Sequence, residues 1–446
     1  MIYPILSAVL TILAFNTSWY AIIFVSLVPL FLFFNQEKNF WRLLFGAALF
    51  RLIFALGSVY FVIDPVLYLL SILIFLGLPV FYYLISKYFS LELANYSLPI
   101  LWTIWDYLEA QYTLLPMTLM MSGIPLADSA FLGLARFGGI IGLTFFVAFL
   151  NTLIVVLILK RHKEKMLFFL TTGLLGILII SVLLSVQFLK FNQKKYFSKK
   201  NFIEIELLSA KEIKSVPDYS LAVLSVSSRA NLLVVAENFY KSSLDNYEEI
   251  IDFYKKIAKK LKVNISAISI RKENGKVYKS NLIFSASGKV LDSYDKNYLT
   301  ITSEYWPFGD WRPRYFDFVR KVSPNRAIFD QNYQHTSGRP KILGTDKFSF
   351  ASLICGEFHY PGYLNKLNQL RPDFLIHNSN NDWINFGLNQ YLRLTNNLRT
   401  IEAVYLQKPI LVNGIKDYAG IFYPDGNKMI SYPKNGLSLM SVEVRY

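Results

Sequence analysis

Cys355 ends the apolar run Phe348-Ser-Phe-Ala-Ser-Leu-Ile and is followed by Gly356 and Glu357; it is the single cysteine among 446 residues. A thiol at the end of a buried strand, before a glycine that tolerates a sharp turn, can be aimed out of a sheet as a nucleophile. Free cysteines also serve as small buried hydrophobes, so the chemistry depends on partners. Three further polar residues follow apolar runs or sit in the loops beside them: Glu237, Lys296 and Glu304. Each has a plain structural alternative, as a solvated or capping acid, a surface lysine and a surface acid. Together they match what acyl transfer through a thiol demands. A thiol whose reference pKa is about 8.5 needs a base or a nearby cation to become a thiolate, and a tetrahedral intermediate needs a positive donor for its oxyanion. Glu237 can serve as the base and Lys296 as the donor.

The elements that must position these residues follow from periodicity. Residues 202–209 alternate as a strand does, and Asn231-Leu-Leu-Val-Val-Ala-Glu237 is an apolar strand that puts Glu237 at a sheet edge. Residues 243–261 form a helix opened by a serine cap, with Ile250, Ile251, Tyr254 and Ile257 on its apolar face. A strand at 263–271, a hairpin around Ser287-Gly288, a strand at 348–355, a helix at 361–370, a strand at 373–378, a helix at 388–407 and a strand at 409–414 complete the pattern. Interleaved strands and helices predict an α/β layered domain.

Composition divides the chain in two. Residues 1–189 are apolar with aromatic belts, and residues 190–446 read as an ordinary soluble domain. Of the net charge of +15, the second part carries 37 basic against 24 acidic residues. Beside a membrane, such charge predicts attraction to anionic headgroups; no zinc spacing, nucleotide loop or RNA-binding signature supports a nucleic-acid partner. One cysteine excludes an internal disulfide, and four histidines without paired spacing argue against a metal site. No cofactor is expected.

A hydrocarbon core about 30 Å thick takes around 20 apolar residues per helix. Spans are expected near 3–15, 19–34, 43–63, 66–86, 94–113, 138–159 and 166–189. With the N-terminus inside, internal loops hold Lys38, Arg42, Lys87, Lys160, Arg161, Lys163 and Lys165, while the short external loops hold Arg136. This is the positive-inside pattern and places the second domain outside the cytoplasmic membrane. The first segment lacks a basic leader and a clear cleavage site, so a retained helix is expected. Arg51, Asp106 and Glu109 lie at membrane depth, where ionisable groups pair or carry function. Leu114 to Gly139, rich in Pro, Met and Gly, is a poor span and is expected to line an opening toward the second domain.

Glu, Lys and Cys in this order on these strand ends resemble the nitrilase superfamily, and the match narrows to the apolipoprotein N-acyltransferases. Lys296-Asn-Tyr-Leu-Thr-Ile-Thr-Ser-Glu304-Tyr305 is similar to that family's Lys-x-x-Leu-x-Pro-Phe-Gly-Glu-Tyr, and Ile354-Cys355-Gly356-Glu357 to Ile-Cys-Tyr-Glu. Asn378 to Trp383, with Phe386-Gly387, resembles Ser-Asn-Asp-Ala-Trp-Phe-Gly; Arg399 to Ala403 resembles the following Arg-Ala-x-Glu helix, and Asn413-Gly414 the Asn-Asn-Gly turn. The span from Trp102 to Glu109 and the glycine-rich stretch Leu134 to Gly142 resemble the family's membrane part. The chain departs from the pattern at Ile301-Thr302-Ser303, at Gly356, by an extra residue in 379–387, and by having no apolar span after the second domain, which would leave Tyr446 outside.

The resemblance implies a membrane helical bundle of about seven spans followed by a nitrilase-like α-β-β-α sandwich. It implies transfer of a phospholipid acyl chain to Cys355 and on to the α-amino group of a diacylglyceryl-cysteine at a lipoprotein N-terminus. Glu237 would be the base, Lys296 the oxyanion donor, and Glu304 and Glu357 supporting groups. Tyr305, Trp306, Trp311, Arg312 and Arg314 would form an aromatic, basic loop dipping toward lipid, the alternative being a loop packed on its own domain. The chain is expected to act as a monomer, in the inner membrane, with its catalytic domain facing the periplasm. A membrane-anchored amidase or esterase using the same three residues, and a non-catalytic module that binds lipidated proteins, are the competing readings.

Overall fold

The computed structural model describes the chain except for residues 62–64, 113–116, 161–163, 212–225, 228, 238–246, 301–303, 306–316, 318–332, 335, 337–338, 385 and 434–436. It separates into two compact units, one of Met1–Asn192 with Asn389–Leu406, the other of Gln193–Leu388 with Gln407–Tyr446. The expected boundary at 189/190 falls inside the helix Glu164–Phe197. Composition turns polar at Lys190, but the helix runs on for two further turns.

The first unit is helical. Phe40–Ser58, Tyr68–Tyr88, Gly139–Leu159 and Thr171–Phe197 are long and apolar enough to cross a bilayer, and Ile2–Asn16 and Tyr20–Gln36 are shorter apolar helices. Leu91–Tyr112 is also a long helix but carries Glu92, Asp106 and Glu109. Glu109 is not left alone: Arg51 pairs with it, and Ser71 donates to it while accepting from Arg51 Nε at 3.1 Å. A charge this buried persists only where paired and hydrogen-bonded. The described part of the poor span, from Met117 onward, forms three short 3₁₀ turns, Met117–Met120, Ile124–Asp128 and Leu132–Phe137. Within this unit Asn397 of the helix Leu388–Leu406 donates to the Ile124 carbonyl at 3.4 Å, and Glu402 accepts from the Ile140 amide at 3.4 Å.

Among the described residues the second unit has twelve strands: β1 (Phe202–Ala210), β2 (Leu232–Val235), β3 (Asn264–Glu273), β4 (Lys276–Phe284), β5 (Val290–Asp295), β6 (Ile342–Gly344), β7 (Ser349–Ile354), β8 (Phe374–Asn380), β9 (Ile410–Ile415), β10 (Ala419–Phe422), β11 (Lys428–Ser431) and β12 (Leu437–Arg445). Their order is β5-β4-β3-β2-β1-β9-β8-β7-β6, with β12 antiparallel on β1 and the β10-β11 hairpin on β9. The internal strands β2, β8 and β9 are buried along their whole length, as strands covered on both faces must be.

The two halves of this sheet join through one pairing, Ala210 with Ile415. They face each other: Asn281 of β4 donates to Ser352 of β7 at 2.7 Å. Asparagine side chains staple the join, Asn378 donating to the Val235 carbonyl at 3.1 Å and Asn413 to Leu208 and Val234, each at 3.0 Å. On the outer face Ile250, Tyr254 and Ala258 of the helix Tyr247–Leu261 meet Leu233, Val235, Leu282 and Phe284. Glu248 and Glu249 in its first turn and Lys259 and Lys260 in its last suit the helix dipole. The predicted opening of this helix at Ser243 lies outside the described residues.

Candidate active site

Three strand ends carry Glu237, Lys296 and Cys355, and Glu304 stands in the loop after Lys296. β2 lies inside the sheet, not at its edge, because β1 and β3 flank it in parallel; Glu237 stands just beyond its C-terminal end and is 1% exposed. The apolar alternation of β2 identifies the strand but not its neighbours, so its place in the order is not readable locally. Lys296 follows the end of β5 and is equally buried. Arg271 fixes that end with a two-pronged bond to Asp295, at 3.0 and 2.5 Å, while Ser280 donates to the same carboxylate at 2.6 Å. Cys355 follows β7 and turns into the left-handed region, with φ of 53°. Its carbonyl is held by His377 Nε2 at 3.0 Å, and the His377 ring stacks on Phe358 at 4.6 Å.

Glu304 ties the cluster together. Its Oε2 accepts from Lys296 Nζ at 2.6 Å and from the Thr300 amide at 2.8 Å, and its Oε1 accepts from Lys279 Nζ at 2.7 Å. Lys279 also pairs with Glu237, and its carbonyl accepts the Lys296 amide at 2.7 Å. Sequence reasoning missed Lys279. The signal was present: period-two alternation puts it on the face of β4 that carries Asn281 and Ile283, turned toward β7, where an unpaired lysine would be costly.

Glu357 sits elsewhere in the network and is fully buried. Its Oε2 accepts from the Ile354 amide at 2.8 Å; its Oε1 accepts from the Asn297 amide at 2.6 Å, the Tyr298 amide at 3.2 Å and Tyr294 Oη at 2.7 Å. It therefore laces the turn after β5 to the turn at Cys355. Of the loop expected to dip toward lipid, Trp306, Trp311, Arg312 and Arg314 lie outside the described residues. Tyr305 packs against its own domain, on the cluster of Ile270, Leu299 and Tyr333.

The charges in this cluster are interdependent. Around Cys355, loss of solvent is the largest influence and Glu237 adds to it; Lys296 and Lys279 oppose both, and the thiol is pushed up to about 11. At neutral pH it is a thiol that must hand its proton to a neighbour. Burial also disfavours the Glu304 carboxylate, yet Lys279 and Lys296 outweigh it and hold the group well below the usual carboxylate range. Burial likewise disfavours the Lys279 ammonium, and Glu237 and Glu304 more than offset it.

The stability consequence has a definite sign. A carboxyl with a depressed folded value contributes stability that is present above its unfolded value, about 4.5, and is lost as pH falls through the folded value. An ammonium raised in the fold contributes below about 10.5 and loses its contribution as pH rises through the folded value. The urea midpoint of the detergent-solubilised protein is therefore expected to fall below pH 4.5, and Glu304→Gln to be less stable at pH 7 with a flatter acid limb. An acid limb of unchanged slope in Glu304→Gln would show that the cluster does not set acid stability.

Residues 7–153 match the family of the apolipoprotein N-acyltransferase N-terminal domain, and residues 192–405 match the carbon-nitrogen hydrolase family. An apolipoprotein N-acyltransferase of Haemophilus ducreyi is 23% identical over 337 residues, covering 71% of this chain and 63% of that protein. The chain thus spans under two-thirds of the length of the curated relative it matches. Among solved structures, a carbon-nitrogen hydrolase from Helicobacter pylori G27 superposes with a TM-score of 0.40 at 16% identity, over 55% of this chain and 89% of that one. An amidase from Nesterenkonia sp. does so with a TM-score of 0.39 at 13% identity, over 55% and 90%.

Proposed function

The chain belongs to the apolipoprotein N-acyltransferases of the carbon-nitrogen hydrolase superfamily, and from that premise we propose that it moves an acyl chain from a phospholipid, through a thioester on Cys355, to the α-amino group of a lipoprotein's diacylglyceryl-cysteine. What carries the reading is one cluster: Glu237, Lys279, Glu304 and Lys296 form a continuous buried set of ion pairs at the strand ends that also carry the single cysteine, Cys355.

The residues divide the work as follows. Glu237 Oε2 has no hydrogen-bond partner among the described residues and takes the Sγ proton. The sulfur attacks the ester carbonyl of the donor, and Lys296 stabilises the oxyanion. The intermediate collapses, the ester C–O bond breaks, and the leaving lysophospholipid oxygen takes the proton from Glu237. In the second half the amine attacks the thioester, Glu237 receives its proton, and the C–S bond breaks to return the thiol. Glu304 positions Lys296, and Glu357 braces the two turns. The first 189 residues cross the inner membrane seven times with the N-terminus inside, the catalytic domain faces the periplasm, and the chain works as a monomer. The aromatic and basic residues Trp306, Trp311, Arg312 and Arg314 have the composition that suits a headgroup boundary, while Tyr305 stays packed on its own domain; both lipid substrates enter from the bilayer.

Mass spectrometry of a lipoprotein N-terminus from cells with and without this chain tests the reaction. A third acyl group is expected only where the chain is present; its persistence without the chain refutes the transferase reading. A radiolabelled phospholipid acyl chain should remain on the protein as a hydroxylamine-sensitive adduct and be absent from Cys355→Ser. Release of free fatty acid without transfer to the amine would point instead to a hydrolase.

A further inference from the structure

We propose that Lys279 is a positioning residue of the acyl-transfer site: its ammonium bridges Glu237 and Glu304 and keeps Glu237 in the carboxylate form that must receive the Cys355 proton. The inference rests on Cys355 and Glu237 acting as proposed above, and it assigns a task to a cation that lies outside the Glu237, Lys296 and Cys355 set.

Charge balance among buried groups sets what Lys279 does here: Glu237, Lys279, Lys296 and Glu304 are each at most 8% exposed. Lys296 is claimed by Glu304 at 2.6 Å, and among the described residues the ion-pair partner of Glu237 is Lys279. With Lys279 present, two carboxylates face two ammoniums and the cluster is neutral. Proton transfer from sulfur to Glu237 Oε2 then moves charge within a neutral group, and Lys279 neither gains nor loses a proton. Without Lys279, two buried carboxylates share one ammonium. A buried carboxylate without a partner is costly enough that it takes up a proton instead. Glu237 is the one affected, because Glu304 keeps Lys296 and the Thr300 amide. A protonated Glu237 cannot accept the thiol proton.

Among the described residues, the charged and titratable groups that act on Lys279 are Glu237 beyond β2, Glu304 after the Lys296 loop, Tyr333, and Cys355 beyond β7. Tyr333 is pushed up to about 12, mainly by burial, so it stays neutral over the working range. Lys279 has a second, structural hold on the site through its carbonyl, which accepts the Lys296 amide at 2.7 Å. That bond belongs to the backbone and survives substitution of the side chain.

Alkylation by iodoacetamide reads this out on the full-length protein in detergent, since Cys355 is the one thiol and each adduct reports on it. The rate is measured from pH 5 to 9.5 for the unaltered protein, Lys279→Gln and Lys279→Arg. The acid limb of Lys279→Gln is expected to move up by about one pH unit, making alkylation roughly tenfold slower near pH 6 and closing the gap by pH 9. Lys279→Arg keeps the charge and should follow the unaltered profile. A Lys279→Gln rate lowered by the same factor at every pH, or not lowered at all, overturns the inference and leaves Lys279 a packing residue. Should Lys279→Gln fail to fold, a displaced acid limb in Lys279→Arg has the same force. If the unaltered protein takes no label at neutral pH, it is the reading of Cys355 as nucleophile that fails, and the two failures are thereby told apart.

Discussion

Cys355→Gly is expected to be more stable than Cys355→Ala, and both are expected to lose acyl transfer by roughly 10⁴-fold or more, the loss that follows removal of a covalent nucleophile. In most positions the order of stability is the reverse, because glycine gives up more chain freedom on folding, about 0.5–1 kcal/mol relative to alanine. Here the backbone at 355 has φ of 53°, where a Cβ crowds the neighbouring carbonyl at a cost of about 1–2 kcal/mol. Both variants lack the sulfur, so the comparison isolates the Cβ. The difference should be about 1 kcal/mol in favour of glycine, or about 2–4 °C in midpoint for a domain of this size. The strain is maintained by what grips the turn from both sides: His377 holds the Cys355 carbonyl, and Glu357 holds the Ile354 amide. Turning the backbone here takes the side chain out of the alternation of β7. Thermal unfolding of the two variants, followed by circular dichroism, decides the matter; an alanine variant as stable as the glycine one would mean that the turn stores nothing.

Much of this arrangement is legible in the sequence, and the gaps have physical causes. Strands are read well where burial on both faces writes a continuous apolar run: 231–237, 348–355, 373–378 and 409–414 correspond to β2, β7, β8 and β9. The helices at 361–370 and 388–407 fall within a residue of Pro361–Gln369 and Leu388–Leu406 for the same reason, a clear apolar face. What periodicity cannot carry is partnership. β12 pairs with β1 from Phe202 with Arg445 to Ala210 with Leu437, a pairing across more than 200 residues that neither strand announces. The inner place of Glu237, the reach of His377 to the Cys355 carbonyl and the double pairing of Lys279 depend on the same long-range order. In the membrane part, apolar length marks four helices among the described residues, and Leu91–Tyr112, expected as a span near 94–113, adds a helix that carries two buried acids, Asp106 and Glu109, with Glu109 paired to Arg51. A lysine or an acid lowers the apolar signal whether it is solvated or satisfied inside.

Glu357→Ala should destabilise the protein by about 3–5 kcal/mol and reduce acyl transfer by more than about 100-fold, although Glu357 takes no part in bond making. Its two carboxylate oxygens accept four donors from two segments: Tyr294, Asn297 and Tyr298 at the end of β5, and Ile354 at the end of β7. Removing the acid takes this acceptor from the buried Asn297 and Ile354 amides, the half-buried Tyr298 amide and the Tyr294 phenol, and a buried donor left unmatched costs its full desolvation. The midpoint should fall by about 10 °C. The rate falls for a separate reason. Lys296 and Cys355 are neighbours of the two segments Glu357 joins, and an error of about 1 Å in their approach is enough to cost two orders of magnitude. Glu357→Gln should lie between the extremes, because its amide keeps one oxygen but turns an NH₂ toward groups that are themselves donors. Thermal unfolding and single-turnover acylation, measured on the same preparations, separate the two effects. A Glu357→Ala protein that is destabilised but acylates within a few-fold of the unaltered rate would show that the β5 and β7 turns keep their spacing without the brace, and that Glu357 serves the fold alone.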